Sequence, residues 1–200
     1  MSIKGLVLAG GKSRRLGRDK VLETVSGVSL LERSLGLMRQ VADEVWVSGR
    51  DPQAMGLDAP WLPDDVTGCG PMGGILTGLK HLGAPLVVMA CDLPFMNLAT
   101  LQRLVAAREE RRDDAVMTTF LQVETGFIES LVAVYEAGAE ELLLRSLARD
   151  RYKISAAMPK ELRHHIPYTQ EQADVFFNIN YPADLAVLKR VITGQGAVET

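Results

Sequence analysis

The amino-terminal segment runs from an apolar stretch directly into two glycines and then into a cluster of basic residues. Residues 3–8 have the character of a buried strand, Gly10 and Gly11 follow them, and five Lys or Arg side chains fall within residues 12–20. Glycine lets a backbone approach a ligand closely, and the freed N–H groups of such a turn hold oxyanions together with Lys or Arg. This pattern predicts a loop that binds a nucleoside triphosphate.

The loop matches neither of two familiar glycine-rich phosphate motifs. It lacks both the Gly-x-x-x-x-Gly-Lys-Ser/Thr spacing and the Gly-x-Gly-x-x-Gly spacing. The alternative is a solvated turn with scattered basic residues. We favour the phosphate loop because Gly10, Gly11, Gly17 and Lys20 all fall in one loop after a buried strand.

The distribution of charge along the chain restricts which classes of partner we expect it to bind. The whole chain carries a formal charge of −3, whereas residues 12–20 alone carry +4. One local basic site on an otherwise acidic chain argues against a broad nucleic-acid-binding surface. No apolar run is long enough to span a bilayer, and the first strand begins too early to leave room for a signal peptide. We therefore expect a cytoplasmic protein that binds neither membranes nor nucleic acids.

Strand and helix patterns alternate through residues 1–120. This alternation predicts an α/β fold with a mostly parallel, doubly wound sheet, and the less regular second half predicts one antiparallel strand. Ser29 and Glu32 form a capping-box pattern at the start of the first helix. The predicted strands lie at 3–8, 44–48, 85–91, 115–120, 131–135 and 175–179. The predicted helices lie at 31–41, 73–82, 98–105, 137–149 and 183–192, and residues 51–71 form a long loop.

Asp92 follows the continuous apolar run at 85–91. A carboxylate at that position is partly desolvated unless it is paired or binds a metal. Mg²⁺ prefers oxygen ligands and takes one or two carboxylates together with substrate phosphates. The alternative is an Asp that caps the turn before Leu93 and Pro94. Beside a phosphate loop, the metal site is favoured.

Two further segments carry polar or glycine-rich patterns. Residues 68–74 contain four glycines after Asp64, which suggests close approach to a planar ligand such as a base, although this segment taken alone is better explained as a flexible surface loop. Asn178 and Asn180 flank Ile179, and the alternation of a strand would put both amides on the same face. For Asn180, the N-cap of the last helix is the stronger interpretation, although both could hold.

Together these segments resemble the molybdenum cofactor guanylyltransferase family, within the Rossmann-like nucleotidyltransferases. The matching motifs occur in the family's order at similar spacing and lie at residues 8–11, 13–17, 19–20, 70–75, 91–94 and 176–180. The resemblance implies a Rossmann-like three-layer α/β/α fold with a mostly parallel central sheet in a single domain, 1–200. It also implies a nucleotide-binding half at about 1–110 and an acceptor-binding half at about 111–193.

The resemblance implies a reaction of GTP with a molybdopterin-type cofactor, giving the guanine dinucleotide cofactor and pyrophosphate with Mg²⁺. It also implies transient contact with cofactor-synthesis enzymes or recipient molybdoenzymes. Lys20, Asp92 and Arg15 are then the catalytic residues, and Asp92 binds the metal. The residues implied in binding are Leu8, Ala9, Gly10, Gly11, Lys20, Ser48, Asp64, Gly70, Gly74, Asp92, Asn178 and Asn180.

Several alternatives stay open at the level of sequence. The donor could be CTP, although Ala9 followed by Gly10 and Gly11 favours GTP, since the cytidylyl relatives tend to carry Ala-Ala-Gly there. The acceptor could be another phosphorylated molecule, and Ser130 and Tyr181 depart from the family pattern in the acceptor half. A third alternative is a non-catalytic GTP-binding protein that delivers cofactor.

Overall fold

The computed structural model of the chain describes residues 2–10, 23–25 and 27–195. The strands are β1 (Lys4–Leu8), β2 (Thr24–Val25), β3 (Val28–Ser29), β4 (Glu44–Ser48), β5 (Trp61–Leu62), β6 (Leu86–Ala90), β7 (Met117–Gln122), β8 (Ile128–Tyr135) and β9 (Arg163–Tyr168). The helices are α1 (Leu30–Met38), α2 (Pro71–Leu82), α3 (Leu98–Glu109), α4 (Ala139–Leu147), α5 (Ile154–Ala157) and α6 (Pro182–Gln195). In this described part of the chain, none of the helices is long and apolar enough to cross a membrane.

Seven of the strands form one sheet in the order β5-β4-β1-β6-β8-β7-β9. β1 pairs in parallel with β4 and with β6, and β4 pairs in parallel with β5. β8 runs antiparallel to both of its neighbours, β6 and β7, whereas β9 is parallel to β7. The prediction of a mostly parallel sheet with one antiparallel strand is confirmed for the described residues.

Helices cover both faces of this sheet. On one face, Leu35 of α1 and Leu104 of α3 share a buried cluster with Val7 of β1. On the other face, Ile75 of α2 shares a second buried cluster with Leu6 of β1, together with residues of α4 and α5. Neighbouring residues of β1 therefore point to opposite helical layers, as the two-residue period of a strand requires. The predicted three-layer α/β/α fold is confirmed.

The carboxyl ends of three parallel strands are level with one another. Leu8 is the last residue of β1, and it pairs with Ser48 of β4 on one side and with Ala90 of β6 on the other. The segments that follow these strands, including Gly10 and Asp92, therefore lie at one edge of the sheet. Open α/β sheets bind ligands at this edge.

Helix α2 begins at Pro71, two residues before its predicted start. Proline fits the first helical position because the N–H that it lacks would have no partner within the helix. Gly70 precedes it with a φ of 59°, a conformation that glycine adopts at little cost. At the start of α1, the N–H of Glu32 donates to Oγ of Ser29 at 3.2 Å, as predicted for a capped helix.

The prediction of a strand at 175–179 was wrong. Thr169 and Gln172 form a capping box that starts a 3₁₀ helix, which ends at Phe176. The N–H of Ile179 then donates to the backbone oxygen of Asp92 at 3.0 Å, so this segment is tied to the end of β6. Its apolar residues are explained by burial in that position, where Ile179 is fully buried.

Strands β5 and β9 were missed by the sequence reasoning. β5 has two residues, which is too short for a periodic pattern, and it lies inside the predicted loop at 51–71. β9 reads Arg-His-His-Ile-Pro-Tyr. It is an edge strand, where charged residues and proline are tolerated because one side of the backbone is unpaired.

Candidate active site

A cavity of about 730 Å³ opens at the ends of β1 and β4, and we call it the glycine cavity. It is lined by Leu8, Gly10, Ser48, Gly49, Arg50, Asp64, Thr67, Gly68, Gly70 and Pro71. Five of the residues predicted to bind nucleotide belong to this set: Leu8, Gly10, Ser48, Asp64 and Gly70. The structure therefore brings together residues that lie more than sixty positions apart in the chain.

Two glycines let the ends of β1 and β4 approach closely in this cavity. A Cβ atom placed on Gly49 would lie 2.4 Å from Cα of Gly10. Gly49 also has a φ of 88°, in a region that residues with side chains disfavour. Bare backbone therefore forms this part of the cavity wall. The sequence reasoning missed Gly49, although it follows β4 much as Gly10 follows β1.

Ser48 holds Asp64 in place beside the cavity. The Ser48 hydroxyl donates to Oδ1 of Asp64 at 2.6 Å, and Ser48 is only 2% exposed. Gly74 of α2 packs against this hydroxyl, because a Cβ on Gly74 would lie 2.2 Å from Oγ of Ser48. The absence of a side chain at Gly74 thus makes room for the bond that orients Asp64.

We expect Ser48→Ala to lower the free energy of unfolding by about 1–2 kcal/mol, because it removes the hydroxyl that donates to the Asp64 carboxylate. Urea unfolding measures this loss. A double-mutant cycle with Asp64→Ala, which removes the acceptor, isolates the pair from other effects of each substitution. A coupling energy close to zero would contradict the assigned hydrogen bond.

The adjacent carboxylate, Asp65, is engaged elsewhere. Its Oδ2 lies 2.8 Å from Nζ of Lys80 and 2.9 Å from Nε2 of His81. The hydrogen bond from Lys80, followed by that from His81, lowers the pKa of the Asp65 carboxyl. Lys80 and His81 stand in the last turn of α2, so Asp65 fastens its loop to that helix. Of the two neighbouring aspartates, Asp64 is the one that lines the cavity.

A second cavity, of about 740 Å³, lies at the end of β6 and shares Pro71 with the first; we call it the Asp92 cavity. The two predicted residues that line it are Asp92 and Asn178, and Asp92 is 9% exposed. Other lining residues come from the second half of the chain: Thr125, Gly126, Phe127, Ile128, Glu129, Ser130, Leu131, Val132, Tyr152, Lys153, Ile154, Ser155, Arg163, Phe176.

A bulge in β8 forms one wall of the Asp92 cavity. The register between β7 and β8 jumps from Thr119 opposite Ala133 to Leu121 opposite Ile128, so β8 carries extra residues between these pairs. The Thr119 hydroxyl donates to the backbone oxygen of Glu129 at 2.9 Å. Bulges of this kind re-aim side chains near functional sites.

A second buried hydroxyl fixes the same bulge. The phenol of Tyr135 donates to the backbone oxygen of Ser130 at 2.6 Å. Tyr135 is fully buried, and its burial raises the pKa of the phenol far above the ordinary value, so it remains a donor at neutral pH. The bulge is therefore held from both sides of the β7–β8 pair.

Arg163 of β9 secures the segment that carries Tyr152 and Lys153 on the cavity wall. Its Nε donates to the backbone oxygen of Met158 at 2.9 Å, and its Nη2 donates to that of Ser155 at 2.5 Å. Burial lowers the pKa of this guanidinium, but an arginine side chain stays protonated in proteins. A charged side chain thus orders an irregular part of the wall.

The carboxylate of Asp92 is the candidate metal ligand. Among the residues that the structure describes, no group of three His, Cys, Asp or Glu side chains is placed to hold a metal ion. Mg²⁺ is commonly held by one or two carboxylates with substrate phosphates and water. The single carboxylate of Asp92 fits a site of this kind, in which substrate phosphates supply further ligands.

Three predicted binding residues within the described ranges line neither cavity: Ala9, Gly74 and Asn180. Ala9 is fully buried, and its N–H donates to the backbone oxygen of Ser48 at 2.9 Å. Ala9 and Gly74 therefore support the glycine cavity from behind its surface. Gly11, Arg15 and Lys20 lie outside the described residues, so their roles stay predictions.

The favoured interpretation of Asn180 as the N-cap of α6 was wrong. The helix begins at Pro182, so Tyr181 is the residue directly before it. The carboxylate of Asp184 accepts hydrogen bonds from the N–H groups of Asn180 and Tyr181, each at 2.8 Å. Asp184, an acidic side chain in the first turn of α6, therefore accepts hydrogen bonds from the backbone that leads into the helix.

Comparison with known proteins identifies the family. The model of the MobA-like NTP transferase domain family matches residues 5–173. A molybdenum cofactor guanylyltransferase from Rhodobacter capsulatus is 34% identical over 197 residues, which cover 93% of this chain and 94% of that protein. A molybdenum cofactor biosynthesis bifunctional protein from a Synechocystis strain is 35% identical over 146 residues, 71% of this chain but 41% of that longer protein.

Solved structures agree with this result. The crystal structure of molybdopterin-guanine dinucleotide biosynthesis protein A from Archaeoglobus fulgidus has a TM-score of 0.77 with this chain at 25% identity. The match covers 96% of this chain and 99% of that one. The fold, the two adjoining cavities and the matched sequence lead to one conclusion: this chain belongs to the MobA-like NTP transferase domain family.

Proposed function

We propose that this protein transfers GMP from GTP to the phosphate of a molybdopterin-type cofactor, forming the guanine dinucleotide cofactor and releasing pyrophosphate. The observation that carries the proposal is the pair of cavities that share Pro71 at one edge of the sheet. Two substrates bound side by side there would meet at that residue. The names of the relatives supply the nature of the base and of the acceptor.

The glycine cavity suits the nucleotide donor. Gly10 and Gly49 present backbone without side chains, so a ligand can approach closely. Asp64, held by Ser48, offers an acceptor for a hydroxyl or N–H of the nucleoside. Arg50 lines the same cavity and brings positive charge near the phosphates.

The start of α2 favours phosphate binding between the two cavities. Its first turn contains no acidic residue, and its first residue, Pro71, lines both cavities. The N-terminus of a helix of this length carries partial positive charge, which stabilises bound anions. We expect the phosphates of the donor to lie near this helix end.

In the proposed reaction an oxygen of the acceptor phosphate attacks the α-phosphorus of GTP. The bond between that phosphorus and the oxygen bridging to the β-phosphorus breaks, and pyrophosphate leaves with the electron pair. The attacking phosphate is ionised at neutral pH, so no general base is required. The protein's task is then positioning and charge neutralisation, to which Lys20 and Arg15 contribute by stabilising the leaving pyrophosphate.

Asp92 is proposed as the residue that would hold Mg²⁺, which substrate phosphates would also bind. When bound, Mg²⁺ neutralises phosphate charge and acts as a Lewis acid. Because the donor is a cytoplasmic nucleotide, the proposal places the reaction in the cytoplasm. Delivery of the product would involve transient contact with cofactor-synthesis enzymes or recipient molybdoenzymes.

Pyrophosphate release from a matrix of nucleotides and acceptors tests the proposed function. We expect turnover with GTP and molybdopterin cofactor, and at least about 100-fold lower kcat/KM with CTP, because a site that pairs with one base leaves polar groups unsatisfied with another. Turnover with CTP and none with GTP would overturn the assignment of the donor. Turnover with a sugar phosphate in place of the pterin cofactor would overturn the assignment of the acceptor.

A further inference from the structure

The Asp92 cavity contains a carboxylate that the transfer reaction does not use. Glu129 lies on the β8 bulge and lines this cavity. The Tyr168 phenol donates a hydrogen bond to its Oε1. Burial raises the pKa of the Glu129 carboxyl above the ordinary value, an effect that the bond from Tyr168 partly opposes. Among the described residues, no Lys or Arg forms a salt bridge with Glu129.

The position of Glu129 is set by groups that are themselves buried. Its backbone oxygen accepts from the hydroxyl of Thr119, which is fully buried. Tyr168 is 4% exposed, and its ring lies 4.7 Å from that of Phe176 and 6.4 Å from that of Phe120, between ring centroids. The bulge therefore fixes the backbone of Glu129, and the aromatic cluster around Tyr168 fixes its carboxylate.

The surroundings of Glu129 favour a flat heterocycle with N–H donors. Phe176, which packs against Tyr168, lines the same cavity, as does the largely exposed ring of Phe127. Aromatic faces stack on planar rings. An ionised carboxylate accepts several hydrogen bonds at its two oxygens, and Tyr168 occupies one of these positions. The remaining acceptor positions of the Glu129 carboxylate can take hydrogen bonds from a ligand that presents adjacent N–H groups.

We propose that Glu129 is a specificity-determining residue that accepts hydrogen bonds from the 2-amino group and the neighbouring ring N–H of the acceptor's pterin. This rests on the proposed function, because it takes the Asp92 cavity to be the acceptor site. The 2-amino-4-oxo edge of a pterin presents these two donors side by side, and a carboxylate accepts both at once. Hydrogen bonds to charged groups are the stronger ones. Tyr168 is the positioning residue that fixes the carboxylate.

The same pair of donors occurs on guanine, so the test must separate the two substrates. Glu129→Gln keeps the shape of the side chain but loses an acceptor and its charge. We expect it to raise KM for molybdopterin cofactor roughly 10- to 100-fold, with KM for GTP unchanged. Glu124→Gln is the matched control, because Glu124 is an exposed glutamate of the β7–β8 turn that lines neither cavity. Tyr168→Phe should give a smaller rise in the same constant.

Competitive inhibition by free pteridines provides a second measurement. Pterin should compete with the acceptor more strongly than lumazine, which carries a carbonyl where pterin has the 2-amino group. Glu129→Gln should remove most of this preference. An unchanged acceptor KM in Glu129→Gln, or a rise confined to the KM for GTP, would overturn the proposal. If the wild-type protein transfers no GMP to molybdopterin, it is instead the proposed function that fails.

Discussion

Asp92→Asn is expected to lower kcat for pyrophosphate release by about 10³-fold, because it removes the carboxylate that we propose as the Mg²⁺ ligand. Asp92 is 9% exposed at the end of β6 and lines the Asp92 cavity. An asparagine is nearly the same size as an aspartate and can still cap a turn. The substitution therefore separates the metal role from the alternative of an Asp that only caps the turn.

Asp65→Asn is the matched control for this experiment. Asp65 is a carboxylate of the neighbouring loop that lines neither cavity and pairs instead with Lys80 and His81. We expect its kcat to stay within about threefold of the wild-type value, since exposed ion pairs contribute little. Thermal unfolding of both variants checks that the fold is retained. A folded Asp92→Asn protein with wild-type kcat would contradict the metal role.

Gly49→Ala is expected to have the second large effect. The added Cβ would lie 2.4 Å from Cα and 2.5 Å from N of Gly10, so backbone must move on one side or the other. The positive φ of Gly49 adds further strain for an alanine. We expect a loss of roughly 2–4 kcal/mol in the free energy of unfolding, and a rise in KM for GTP because the cavity wall is displaced.

Gly36→Ala is the control for that substitution. Gly36 lies in α1 and has open space around its Cβ position. Alanine is the better helix former, so this variant should be about 0.5–1 kcal/mol more stable than wild type. Urea unfolding compares the two variants directly. Equal stabilities for Gly49→Ala and the wild-type protein would show that β1 and β4 do not need to approach closely at this point.

The architecture was predictable because its signals are periodic and local. The apolar runs before Gly10 and before Asp92 mark buried strands, and their order with the intervening helices specifies a parallel sheet. β9 escaped prediction because an edge strand needs no apolar pattern. The strand predicted near Asn178 failed because a capping box at Thr169 and the backbone bond between Ile179 and Asp92 decide that segment.

The candidate site was predictable where residues follow strand ends, and less so elsewhere. Asp92 stands out in the sequence because it follows an apolar strand, and Asp64 because it precedes a glycine-rich segment. Gly49 carries a weaker signal, since its need for a bare backbone depends on Gly10, some forty positions away. Glu129 carries no sequence signal, because the bulge that directs it towards the cavity depends on the register between β8 and β7. Long-range pairing of this kind is not visible in a local pattern.

Transfer of labelled phosphorus tests the central claim most directly. The purified protein is incubated with Mg²⁺, molybdopterin cofactor and GTP that is labelled at either the α- or the γ-phosphate. We predict that label from the α-phosphate appears in a product whose mass exceeds that of the acceptor by one GMP unit less water, while label from the γ-phosphate appears in pyrophosphate. Release of the γ-label as inorganic phosphate, with no α-label in the acceptor, would contradict it.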